Sequence, residues 1–90
     1  MLIQSPHVKI QVYCPKDSEE IVRKAIGDAG GGRIGKYDHC ISVTESTGYF
    51  RPLEGANPAI GVIGRIERVA EVKLEFICEE HRVEPVLAAV

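Results

Sequence analysis

Four residues in a row, Tyr37-Asp38-His39-Cys40, carry most of the reactive side-chain chemistry that this 90-residue chain places together. Phenol, carboxylate, imidazole and thiol are all potential ligands for a divalent cation. Read as strand, neighbouring side chains point to opposite faces, so Asp38 with Cys40, or Tyr37 with His39, could share an ion, whereas His39 and Cys40 could not. The competing reading is a loop histidine beside a cysteine that behaves as a small core residue. The same geometry separates Cys40 from His39 as a nucleophile–base pair. The other histidines, His7 and His81, are far away in sequence, and there is no CxxC or short His–His spacing of a metal motif.

Just upstream lies Gly30-Gly31-Gly32-Arg33-Ile34-Gly35-Lys36. A phosphate-cradling loop precedes a helix and presents that helix's N-terminus to the anion. Here the glycines follow a helical pattern and lead into strand, which marks a helix C-cap and turn. Anion binding would fall to the side chains of Arg33 and Lys36. With His39 and Arg51, these make the candidate small-ligand set. Tyr49-Phe50-Arg51-Pro52-Leu53 is a second candidate contact surface, suited to anchoring a protein partner or a neighbouring subunit. The carboxylate pairs Glu19-Glu20 and Glu79-Glu80 lie at expected helix starts, where the helix dipole explains them. No triad or acid–base pair emerges, so the chain reads as a non-enzyme.

The elements that position these residues follow from periodicity. Val8, Ile10, Val12 and Cys14 alternate with polar residues, giving a strand over 7–14 that Pro15 ends. Asp17 is the expected helix cap, with Glu20 three residues on. Ile21, Val22, Ala25, Ile26 and Ala29 share one face of a helix over 18–29, closed by a left-handed Gly30. His39–Thr44 reads as a second strand and Glu45–Gly48 as a hairpin turn into Tyr49–Leu53. Pro52 confines that piece to an edge or arm. Glu54–Pro58 is a compact turn. Ala70, Val72, Leu74, Phe76 and Cys78 mark a long strand from near Arg65. A last helix starts near Arg82 or Val83, which keeps Pro85 in its first turn. The fold class is therefore α+β, ferredoxin-like: an antiparallel sheet covered on one face by two helices, βαββα, lacking the closing strand of βαββαβ. An incomplete sheet leaves an edge that recruits partners, so a homo-oligomer is expected.

The totals agree with one small domain over 1–90. Eleven basic against thirteen acidic residues give a net charge of -2, without the basic stripe that a nucleic-acid surface needs. No apolar stretch approaches the roughly 20 residues needed to span a bilayer. With three widely spaced cysteines and no leader pattern, the expected location is cytoplasmic.

Gly32, Ile34, Gly35, Tyr37 and Cys40, then Gly48, Phe50, Pro52, Gly55, Asn57, Pro58, Ile60 and Gly61, closely resemble the central insert of YqfO-type proteins of the Nif-three-like family. The resemblance runs from about Val8 to Leu87. It implies a domain similar in fold to the PII and CutA proteins, which are trimeric, so a trimer is favoured over a dimer. It also implies that the family's dinuclear metal site, and the cyclohydrolase label, belong to the outer domains. By this resemblance the chain is a stand-alone or excised insert: a regulatory or small-ligand-binding module with no obligate cofactor. A CutA-like divalent-metal binder using Asp38, His39 and Cys40 is the alternative. Pro85, and the lack of an H-P-Y-E-E-P segment, depart from the pattern.

Overall fold

The computed structural model describes residues 7–90. Three strands, β1 (His7–Pro15), β2 (Ser42–Phe50) and β3 (Glu67–Glu79), form one antiparallel sheet in the order β1-β3-β2. Helices α1 (Glu19–Asp28) and α2 (Val83–Ala89) follow β1 and β3, each through a short 3₁₀ turn. This is the α+β, ferredoxin-like order that the sequence pattern predicts. β3 is central because it is the most regularly alternating segment. Its 13 residues pair with β1 over Glu71–Glu79 and with β2 over Glu67–Glu75.

The register sorts the side chains. Val72, Leu74, Phe76 and Cys78 point to the helices with Cys14 of β1, and meet Ile26 of α1 and Val86 of α2 to form the buried core. Ile10, Val12, Val22 and Val83 flank it. The opposite face is polar: Glu75 takes a hydrogen bond from Gln11 (2.8 Å) and lies 3.8 Å from Lys9. The two helices cover β1 and β3 but stop short of β2. Val43, opposite Leu74 and on the helix side, is therefore 41% exposed.

Several expectations are corrected. His39–Ile41 is not strand, and β2 begins at Ser42. Glu45–Gly48 is not a turn but the middle of β2, paired with Val72, Glu71, Ala70 and Val69. A long ready-made partner strand outweighs the local turn preference of these residues. β2 and β3 are instead joined by the long connection 51–66, whose base is tied by Gly64 N–H donating to Pro52 O (2.8 Å). β3 begins at Glu67, not Arg65. Asp17 does not cap α1: Lys16–Ser18 form the 3₁₀ turn, and Ser18 takes the cap position without a side-chain bond. Glu79 ends β3 and does not open a helix. Pro85 lies in the first turn of α2, as proline's missing N–H requires.

β3 extends beyond β1, so Thr47–Phe50 and Glu67–Ala70 form a two-stranded ribbon. The radius of gyration is 16.0 Å, against about 12 Å for a compact chain of this length. Exposed Tyr49, Leu53, Ile60, Val62, Ile63 and Ile66 decorate the ribbon and its connection.

The spacing of Ile21 predicts a place on the buried face of α1, yet it is 77% exposed, while Ile26 is fully buried. Ile21→Ala is accordingly expected to change unfolding free energy by less than about 0.5 kcal/mol, as for surface sites generally. Urea titration of the variant checks this, and a loss above about 1 kcal/mol would mean that α1 packs through a different face.

Candidate functional site

The site is built where α1 ends. Gly31 N–H donates to Ile26 O (2.9 Å) and Gly30 N–H to Gly27 O (3.1 Å), the paired bonds of a Schellman closure. Gly30 has a φ of 106°, as the C-cap reading requires. The chain then turns onto the end of the sheet. Gly32 N–H donates to Ile77 O (2.8 Å), so the glycine turn takes the place beside β3 that β2 leaves vacant beyond Glu75.

Residues 33–38 make a small excursion, closed by reciprocal bonds between Ile34 and Tyr37 (2.9 Å each). Lys36 lies within it, exposed. The return is fixed by Cys40 N–H donating to Gly32 O (3.0 Å). This approach is close enough that a Cβ on Gly32 would stand 2.6 Å from Cys40 O.

His39 is held at a φ of 55°, a left-handed conformation that few non-glycine residues adopt. Its imidazole lies on the backbone of Gly27, where any Cβ would overlap the ring. Nε2 is 3.0 Å from Asp28 Oδ1, and Nδ1 is 3.1 Å from Asp38 Oδ1. Two carboxylate acceptors require both ring nitrogens to donate, which is the imidazolium form. The hydrogen bonds that His39 donates to Asp38 first, and to Asp28 second, push its pKa up. The Asp28 carboxyl is pulled below its ordinary range by Lys24 (2.7 Å to Oδ2) and by His39.

These shifts fix the pH dependence. A raised histidine contributes its stabilisation fully below its unfolded value of about 6.5, and loses it as pH climbs through the higher folded value. A depressed Asp28 contributes above the ordinary carboxylate range and loses it as pH falls through its lowered value. The clasp is therefore strongest between the two titrations. In an NMR pH titration, His39 is expected to have a midpoint above 6.5, lowered by Asp28→Asn and more by Asp38→Asn. A midpoint at or below 6.5 would mean that the clasp does not form in solution.

Beside the clasp lies an open groove of about 460 Å³, lined by Asp28, Gly30, Arg33, Asp38, His39 and Arg82. Arg82 comes from the turn before α2 and lies across Gly30, whose missing side chain leaves it room. Its Nε is buried with no hydrogen-bond partner, and the nearest carboxylate oxygen, of Glu79, is 4.0 Å away. Arg33 makes no ion pair among the described residues.

Of the four predicted ligand contacts, Arg33 and His39 thus converge on one groove. Lys36 stands outside its lining. Arg51 belongs to a separate, mostly apolar hollow of about 390 Å³ with Phe50, Pro52, Pro58 and Ile60. It follows Phe50, at the far end of β2 from Ser42, and nine strand residues span roughly 27 Å. As for Asp38, His39 and Cys40 as metal ligands, both His39 nitrogens already face carboxylates. The Cys40 thiol donates to Asp38 O, two residues back (3.6 Å). Among the described residues no group of three or more His, Cys, Asp or Glu is arranged to hold a metal ion. Arg82, Asp28 and Gly27 were missed. The one signal in the sequence was Gly27, a glycine inside an otherwise sound helix.

No family model matches the chain. It is 51% identical over 72 residues to a Bacillus subtilis (strain 168) protein named GTP cyclohydrolase 1 type 2 homolog, covering 80% of this chain and 19% of that one. A Mycobacterium tuberculosis protein of the same name is 44% identical over 78 residues, covering 87% and 21%. The crystal structure of a Bacillus cereus protein related to NIF3 superposes with a TM-score of 0.80 at 42% identity, covering 92% of this chain and 21% of that one. The chain thus spans about a fifth of the length of these relatives.

Proposed function

We propose that this chain, which is related to the small domain of the YqfO-type, Nif-three-like proteins, is a non-catalytic module that binds a small anionic ligand in the groove beside the His39 clasp. The observation that carries this reading is a groove lined by Arg33, His39 and Arg82, with the Nε of Arg82 buried and without a hydrogen-bond partner. A buried donor without an acceptor is costly, and an incoming anion relieves that cost. The groove volume falls in the range of small-molecule sites. The relatives' name refers to a cyclohydrolase, and this chain matches only about a fifth of their length.

The test is a thermal-shift panel of acetate, succinate, inorganic phosphate and ATP. A ligand that binds the folded state raises Tm with concentration. At least one anion is expected to raise Tm by several degrees at near-saturating concentration, with the rise abolished in Arg33→Ala and Arg82→Ala and kept in Arg51→Ala. A rise kept in both groove variants, or no rise with any anion, would overturn the reading.

The exposed apolar residues of the ribbon and of connection 51–66 support a second element of the proposal, self-association in the cytoplasm, with a trimer favoured by the family resemblance. Light scattering on a gel-filtration peak that returned a monomer at micromolar concentration would exclude it. No helix among the described residues is long and apolar enough to cross a membrane.

A further inference from the structure

We infer that the groove selects a carboxylate carried on a small organic molecule over phosphate or a nucleotide, an inference that rests on the anion-binding reading above. Three observations point the same way.

The first is the accounting of backbone donors. Sites for phosphate groups draw on several main-chain N–H groups from a glycine-rich loop. Here the amides of Gly30, Gly31 and Gly32 already donate to Gly27 O, Ile26 O and Ile77 O. The glycine turn that resembles a phosphate loop in sequence has its amides closed within the fold, so recognition falls to side chains.

The second is charge. Arg33, Arg82 and imidazolium His39 stand against Asp28 and Asp38, three cations against two carboxylates. Lys24 on Asp28 and Glu79 near Arg82 offset each other. A single excess positive charge matches one carboxylate, such as one end of succinate with its other end left in solvent. It is a poor match for a triphosphate. The groove also adjoins the C-terminal end of α1, the negative end of the helix dipole, which disfavours a polyanion.

The third is shape. A guanidinium presents N–H groups in a planar fork that pairs with the two oxygens of a carboxylate. Arg82, whose Nε is buried without a hydrogen-bond partner, and Arg33 both line the groove, so each brings a guanidinium to it. His39 plays a positioning part. Its two nitrogens engage one oxygen each of Asp28 and Asp38, the two carboxylates that line the groove with the arginines.

Calorimetric titrations of succinate, inorganic phosphate and ATP into the chain at pH 6 test this, repeated on Arg33→Ala and Arg82→Lys. Succinate is expected to bind at least tenfold more tightly than phosphate or ATP, and to lose at least tenfold in either variant. Arg82→Lys keeps the charge and removes the fork, so its loss reports geometry and not net charge. Arg33 is exposed, so its variant keeps the test readable if Arg82→Lys folds poorly. If phosphate or ATP bound as tightly as succinate, and still depended on Arg33, the carboxylate inference would fail while the anion-binding reading stood. If no anion bound, both would fail.

Discussion

Leu74→Ala is expected to lower the unfolding free energy by about 3–4 kcal/mol, within the range measured for fully buried leucines. Leu74 is fully buried at the centre of β3, opposite Val12 on one side and Val43 on the other. Its neighbours cannot collapse readily into the space, because they belong to three paired strands and the helix that carries Ile26. A chain of this size has a total stability of roughly 5–13 kcal/mol, so the loss removes between about a quarter and four fifths of it. Urea unfolding followed by circular dichroism measures the loss. A value below about 1 kcal/mol would mean that the two helices do not seal this face of the sheet.

Gly32→Ala has an expected cost of about 3 kcal/mol from two sources. With a φ of 77°, an alanine sits in the left-handed region at a penalty of about 1–2 kcal/mol. Its Cβ would also lie 2.6 Å from Cys40 O and 2.8 Å from Cys40 N, both main-chain atoms. Relief requires the returning segment around Cys40 to move, which costs a further 1–3 kcal/mol or so. The movement breaks the Cys40–Gly32 bond and releases His39 from Gly27. The variant should therefore show a second signature, a His39 titration midpoint falling back toward 6.5. Destabilisation without that change would mean that the glycine turn and the clasp are independent.

The sequence made the scaffold legible wherever one face of an element is buried. β1, the inner half of β3 and the helix start that Pro85 demands all follow from alternation or from proline's missing donor. It misled at Glu45–Gly48, where local turn propensity competes with the pairing of β3, a partner twenty-odd residues away that no local window reports. It also misled at Ile21, where spacing fits a helical face yet the side chain is exposed while Val22 and Ile26 of the same helix meet the core. The candidate site was half legible. Arg33 and His39 stand out as residue types beside glycines. Arg82 and Asp28 become site residues only because the chain folds α1's end, the His39 turn and the approach to α2 onto the same end of β3. Arg51 illustrates the converse: close in sequence to the other cations, it is carried away along β2, a strand that the apparent hairpin turn concealed.

The Arg82 side-chain Nε–Hε resonance, observed in a ¹H–¹⁵N NMR spectrum during titration with succinate, probes the one buried donor on which the binding account rests. The expected result is a progressive downfield shift with slowed exchange against water as the acceptor arrives, while the Arg51 resonance stays fixed. An Arg82 signal unmoved at saturating succinate and at saturating phosphate would contradict it.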